Sequence, residues 1–288
     1  MTITKRLGLC SLVVALSPVL LHALVIQSET TARHFRFSND PRFIGIEYDW
    51  SGVEISGGDG KATLISPQYV ISANHNRPGG ASPVGTGISF RSGFDPTAPT
   101  VSRTISESHR ITGTDIWVGK LNSPILPADN ITFYPILQQG DLNNYVGMEI
   151  YMHGRGNEVG RNVIDSVQMS TSGSSTNRTV SSSFDTAAQG GFDPDEARVE
   201  SGDSGAPTFV VWNGELALIG THWLSLGGGT GSGDTLLDEY VGDINAVMTG
   251  ESVTVIPEPS TLALTGLFCS LLSVFRHRPR SRAQEYLI

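Results

Sequence analysis

Apolar residues in this chain recur at every second position over short runs, and glycine, proline or an Asx turn closes most of those runs. That pattern commits the backbone to many short strands. Residues 43–48 (FIGIEY) alternate and predict a strand. After a turn at residues 57–60, residues 61–75 predict two short strands around Ser66 and Pro67. Residues 114–121 set Ile116 and Val118 against Trp117 and Gly119, and residues 146–154 predict a strand ending on Gly154. Residues 162–170 read as another. Residues 206–212 and 215–223 flank Asn213 and Gly214, a pair that favours the tight turn of a β-hairpin. Residues 171–183 are low in complexity and predict an exposed loop, and residues 181–205 predict a long polar one. Only residues 235–248 space apolar side chains (Leu236, Tyr240, Ile244, Met248) at helical intervals. The expected fold is all-β with a short C-terminal helix. Periodicity alone does not choose between barrels and a sandwich.

Composition narrows the partners. With 39% hydrophobic and 16% charged residues the chain is apolar enough to fold. Its formal charge is −9, and both ends are basic, so residues 24–258 carry about −14. An acidic body argues against a nucleic-acid partner. The cysteines, Cys10 and Cys269, lie in terminal apolar segments. The body therefore has no disulfide, thiol nucleophile or cysteine metal site, and its own core must hold it.

The two ends carry targeting patterns. Lys5 and Arg6 precede an apolar stretch at residues 7–21, the layout of a signal peptide over residues 1–23 with cleavage near Ala23. An uncleaved anchor is the alternative. At the other end Pro257, Glu258 and Pro259 precede an apolar run at residues 262–275, then Arg276, Arg278, Arg280 and Arg282. This order, over residues 253–282, resembles the PEP-CTERM sorting signal of Gram-negative bacteria. The resemblance implies exosortase-type processing, transient anchoring in the inner membrane, and a final place at the cell surface or in the extracellular matrix. A simple C-terminal anchor is the alternative. Residues 24–252 remain as the functional body.

Three polar residues in the body suggest chemistry. Ser204 lies in SGDSGAP, where Gly202 and Gly205 permit a tight turn able to aim backbone N–H groups at one point. His75 follows a strand, and Asp115 begins one. Each alone has an ordinary structural explanation. Together, in the order His, Asp, Ser and spaced 40 and 89 residues apart, they supply a base, a carboxylate to orient it and a nucleophile.

At this point residues 62–75, 114–121 and 202–207 resemble the three catalytic segments of the trypsin-like serine proteases, and residues 150–156 resemble the strand and turn before that family's second barrel. The resemblance covers residues 40–250. It implies two antiparallel β-barrels of the trypsin/chymotrypsin type. It implies Ser204 as nucleophile, His75 as general base and then acid, and Asp115 as its orienting partner. The N–H groups of Gly202 and Ser204 would form the oxyanion hole. It also implies a protein or peptide substrate and neither metal nor organic cofactor. Some positions depart from the pattern. Asn76 stands where a disulfide cysteine is usual, and Ala206 where glycine is. Arg42 before Phe43-Ile44-Gly45 looks like an activation cut, but the strand expected at residues 43–48 competes with it. Arg198 and Val199 would approach one pocket wall and Thr221, His222 and Trp223 the other, without assigning a specificity, and a solvated loop position is expected for the Arg198 side chain. His222 is a second candidate imidazole near the site, with a packed or surface role expected for it. Asp193, Asp195 and Glu196 are expected in a solvated acidic loop, with calcium binding as the alternative. A non-catalytic surface or matrix-binding protein on the same fold is the second functional expectation.

Overall fold

The computed structural model describes residues 24–56 and 60–257. The expected signal peptide, most of the residue 57–60 turn, the two cysteines and nearly all of the C-terminal sorting pattern lie outside these residues. An N-terminal arm carries β1 (Val25–Ile26) and α1 (Thr31–His34). The first sheet is built from β2 (Thr63–Ser66), β3 (Tyr69–Ala73), β4 (Gly87–Arg91), β5 (Thr100–Arg110) and β6 (Ile116–Leu121). Its antiparallel strands follow the order β2-β3-β6-β5-β4. The second sheet contains β7 (Ile136–Gln138), β8 (Glu149–His153), β9 (Val159–Val163), β10 (Ser166–Ser172) and β11 (Ser175–Ser183). A two-residue strand, β12 (Ala197–Arg198), pairs with β1. The second sheet is completed by β13 (Pro207–Trp212), β14 (Glu215–Leu226), β15 (Gly231–Leu236) and β16 (Val255–Pro257). Its main path is β10-β11-β15-β14-β13-β8-β9, with β7 parallel to β14 and β16 parallel to β7. The longer α-helix, α2 (Val241–Val247), lies near the C-terminal end of the described chain. The two sheets curl into half-barrels of the chymotrypsin type.

Strand alternation explains how they close. Along β6, Trp117 and Leu121 point into the first barrel with Leu64, Val70 and Phe90. Ile116 and Val118 point the other way, into a core shared with Trp50, Phe209 and Leu218. Along β14, Leu218 joins that shared core, while Ala217 and Ile219 enter the second barrel with Ile150, Met152 and Val210. Each barrel thus has its own apolar filling, and a third cluster joins them.

The alternating segments at 61–75, 114–121, 146–154 and 206–223 form the expected strands. Asn213 and Gly214 both take positive φ, 52° and 87°, as the tight hairpin between β13 and β14 requires. Other expectations fail for local reasons. Residues 43–48 form successive turns because the chain wraps around Trp50, whose indole N–H donates to Gly45 O at 2.8 Å. A side chain at Gly45 would strike that indole. Residues 162–170 divide into the end of β9 and the start of β10, with Ile164 and Asp165 between them. The expected loop at 171–183 is largely strand β11, whose Ser175, Asn177, Thr179 and Ser181 are buried at every second position. The helix expected over 235–248 is confined to Val241–Val247, because residues up to Leu236 belong to β15. No helix among the described residues is long and apolar enough to cross a membrane.

Candidate active site

Strand β3 ends at Ala73 and runs into a 3-10 turn, Asn74–Asn76, that carries His75 to the edge of the first barrel. The turn before β6 brings Asp115 beneath it. Asp115 Oδ2 lies 2.6 Å from His75 Nδ1, and Asp115 Oδ1 accepts the His75 backbone N–H at 3.0 Å. The carboxylate thus holds both ring and backbone. Asp115 is buried, whereas the His75 side chain is 44% exposed. With Nδ1–H donated to Asp115, Nε2 is left as the ring's proton-accepting nitrogen.

Ser204 comes from the other barrel, in the loop before β13. Gly202 and Gly205 have φ of 106° and 88°. At Gly205 a second constraint applies, since a Cβ would lie 2.3 Å from Ser72 Oγ on β3. The absence of a side chain here lets the Ser204 loop touch the first barrel. Among the described residues neither the Gly202 nor the Ser204 backbone N–H donates to a protein acceptor. Ala206 is buried without positive φ and donates its N–H to Asp203 O at 2.9 Å, so alanine is unstrained there. Asp203 is fully buried, and burial raises its carboxyl above the usual range. It is satisfied by the backbone N–H groups of Arg155 and Glu200, each at 2.9 Å. Phe43, the residue after the candidate activation cut, is packed in the shared core.

Trp223 separates two hollows. One, of about 330 Å3, is lined by His75, Asp115, Trp223 and the tip of the β10–β11 hairpin. The other, of about 250 Å3, is lined by Ser204, Ser201, Val199, His222, Trp223 and Ser225 among others. His75 and Asp115 are therefore brought into direct contact, and Ser204 lies across the cleft. Among the described residues no hydrogen bond joins Ser204 Oγ to the ring. Such contacts often tighten only in the substrate complex.

These residues lie within the segment of residues 47–238 that the trypsin family model matches. The chain belongs to the trypsin family. Hydrolysis of peptide bonds is this family's chemistry. No curated protein sequence matches the chain. Among solved structures, the NS6 protease of murine norovirus 1 is 19% identical and aligns over 67% of this chain and 92% of its own, with a TM-score of 0.40. The MamO protease domain of Magnetospirillum magneticum is 14% identical over 67% of this chain and 95% of its own, with a TM-score of 0.46. At these identities and scores neither informs the chemistry.

Around this trypsin-family cleft, several residues take unexpected places. Arg198 does not line the hollow beside Ser204. It bonds Glu200 and lies over the Phe184 ring at 5.4 Å. His222 takes the packed rather than the surface role, fully buried with Nδ1 2.8 Å from Asp234 Oδ1 and Nε2 3.1 Å from His153 O. Burial alone would push this ring down, but the Asp234 carboxylate, with Asp203 nearby, holds it above the usual histidine range. Of the acidic loop, Asp193 is exposed, as expected of a solvated loop, but Asp195 and Glu196 are not. Asp195 is buried and bound by Arg33 at 2.5 and 2.7 Å and by His34 at 3.1 Å. Glu196 is buried and accepts the N–H groups of Asp185 and Phe192. Both carboxylates are committed to the protein's own donors, and no group of three or more His, Cys, Asp or Glu among the described residues is placed to hold a metal. Asn76, conspicuous in the sequence only as a departure, donates its side-chain amide to Ser204 O at 3.2 Å. Asn177, hidden in a Ser/Thr-rich stretch, accepts the backbone N–H of Asp115 at 2.9 Å. Its flanking sequence carried no signal for that role.

Proposed function

We propose that this trypsin-family protein is a serine endopeptidase working through His75, Asp115 and Ser204. The observation that carries the reading is the 2.6 Å contact between His75 Nδ1 and a buried Asp115, facing a glycine-flanked Ser204 across the cleft. In this reading Ser204 Oγ attacks the scissile carbonyl and passes its proton to His75 Nε2. Asp115 holds the ring in that tautomer and supports the imidazolium that forms. The N–H groups of Gly202 and Ser204, which have no protein acceptor among the described residues, receive the oxyanion. His75 then protonates the leaving amine, and water, activated by the same ring, releases the acyl group from Ser204. The test is hydrolysis of an unfolded protein substrate. Wild-type chain should cleave it, and Ser204→Ala and His75→Ala should each lose about three or more orders of magnitude in kcat. Equal cleavage by Ser204→Ala would contradict the proposal. A folded wild type without cleavage would favour a non-catalytic surface-binding protein.

The terminal patterns extend the proposal to location. Residues 1–23 direct export, and residues 253–282 direct handling by an exosortase-type machinery at the inner membrane, leaving the body at the cell surface or in the matrix. Mass spectrometry of the mature protein's two ends checks this, with retention of both terminal segments as the contrary result.

A further inference from the structure

The two halves of the candidate site belong to different barrels, and the apolar cluster between those barrels is non-directional. Two asparagine side chains supply direction. Asn76, immediately after His75 on the first barrel, donates to the carbonyl of Ser204 on the second. Asn177, on β11 of the second barrel, accepts the backbone N–H of Asp115 on the first. The rest of the β10–β11 hairpin reinforces the second bond. Thr176 N–H donates to Gly113 O at 2.9 Å, and the Ser175 hydroxyl donates to Thr114 O at 3.1 Å. The hairpin tip is thus bonded to three consecutive residues, Gly113, Thr114 and Asp115, of the turn that presents the carboxylate. Arg110, at the end of β5, closes the same junction by donating to Ser175 Oγ at 3.1 Å.

We propose that Asn76 and Asn177 are positioning residues that form a reciprocal clasp across the cleft, fixing where the His75 ring stands relative to Ser204. The inference rests on the reading of His75, Asp115 and Ser204 as the catalytic set. Each clasp joins the main chain of one of those residues to a side chain from the opposite barrel. Among the described residues neither asparagine is hydrogen-bonded to the His75 ring, and both are neutral, so they hold the main chain without adding charge beside it. The body has no cysteine with which to tie the His75 turn covalently. Asn177 is fully buried, so water cannot replace it as acceptor without a rearrangement. Loss of the clasp lets the Asp115 turn drift, and a displacement of about 1 Å at a reacting group costs on the order of a hundredfold in rate.

The test uses the full chain with Asn177→Leu, which removes the acceptor, Asn177→Asp, which keeps it, and Asn76→Asp, which removes the donor to Ser204. Measured are kcat and KM on a peptide substrate, the rate of Ser204 modification by a fluorophosphonate, and the downfield proton resonance of His75 Nδ1–H. Asn177→Leu and Asn76→Asp should lower kcat and the modification rate roughly 10- to 100-fold with KM within about twofold. Asn177→Leu should also broaden the downfield resonance, whereas Asn177→Asp, which keeps the acceptor oxygen but adds a charge, should leave it sharp though displaced. A folded Asn177→Leu with wild-type kcat and an unbroadened resonance would overturn the clasp. If that variant does not fold, amide exchange in the wild type decides. An Asp115 N–H protected to the same degree as β11 supports the clasp, and one exchanging like an open loop overturns it. A wild type that is never modified at Ser204 would defeat the catalytic reading instead, while the resonance would still report on the clasp.

Discussion

Gly205 occupies the point where the Ser204 loop and β3 meet, and two independent constraints act on it. Its φ of 88° disfavours any side chain, and a Cβ would collide with Ser72 Oγ. Gly205→Ala should therefore destabilise the fold by about 2–4 kcal/mol, measured by denaturant unfolding, and slow Ser204 modification further than that loss explains. An alanine variant of wild-type stability would contradict this local geometry. Gly205, His75, Asp115 and Ser204 were all legible as residues, because short motifs carry them. Their supports were not. Asn76 registered only as an unusual neighbour of His75, and Asn177 sits among serines and threonines that suggest a loop. A buried amide that bonds a backbone N–H from 62 residues away leaves no local pattern.

At the scale of elements, the N-terminal arm makes the clearest prediction. Arg33 and His34 bind Asp195, with Arg161 at 3.7 Å, and so dock α1 on the loop before β12. Burial would raise the Asp195 carboxyl, but hydrogen bonds from His34 and Arg33, with the charge of Arg33, bring it to about 2. The folded value lies below the unfolded one, so this contribution is fully present above about pH 4 and is lost as pH falls towards 2. It amounts to on the order of 2 kcal/mol, and Asp195→Asn should flatten that part of the acid-unfolding curve. An unchanged acid limb would remove Asp195 from the account. Elements with clean alternation, such as β6 and the β13–β14 hairpin, were readable because one face or both faces meet a core. Strand β11 was not, since its inward residues, Ser175, Asn177, Thr179 and Ser181, are polar rather than apolar. Strand β15 was masked by Gly231 and Gly233, which pack against neighbouring strands, with Leu224 close to Gly233.

The whole molecule is two barrels sealed by a third core, and the described body holds no cysteine. Phe209 is central to the seal, with its ring 4.6 Å from Tyr134 and 5.7 Å from Trp50. Phe209→Ala should cost about 3–5 kcal/mol. In the wild type, probes in the two barrels should report a single unfolding transition, since neither can leave the shared core alone. Separate transitions would show barrels that fold independently. The same seal places His75 and Asp115 on one side of the cleft and Ser204 on the other. The chemistry proposed for this chain exists only in the assembled molecule.

The most direct measurement is therefore site-resolved labelling of the folded chain with a fluorophosphonate. Mass spectrometry should find the adduct on Ser204, and the adduct should vanish in His75→Ala and slow sharply in Asp115→Asn. A folded wild-type chain that remains unlabelled, or that is labelled at another serine, would contradict the account.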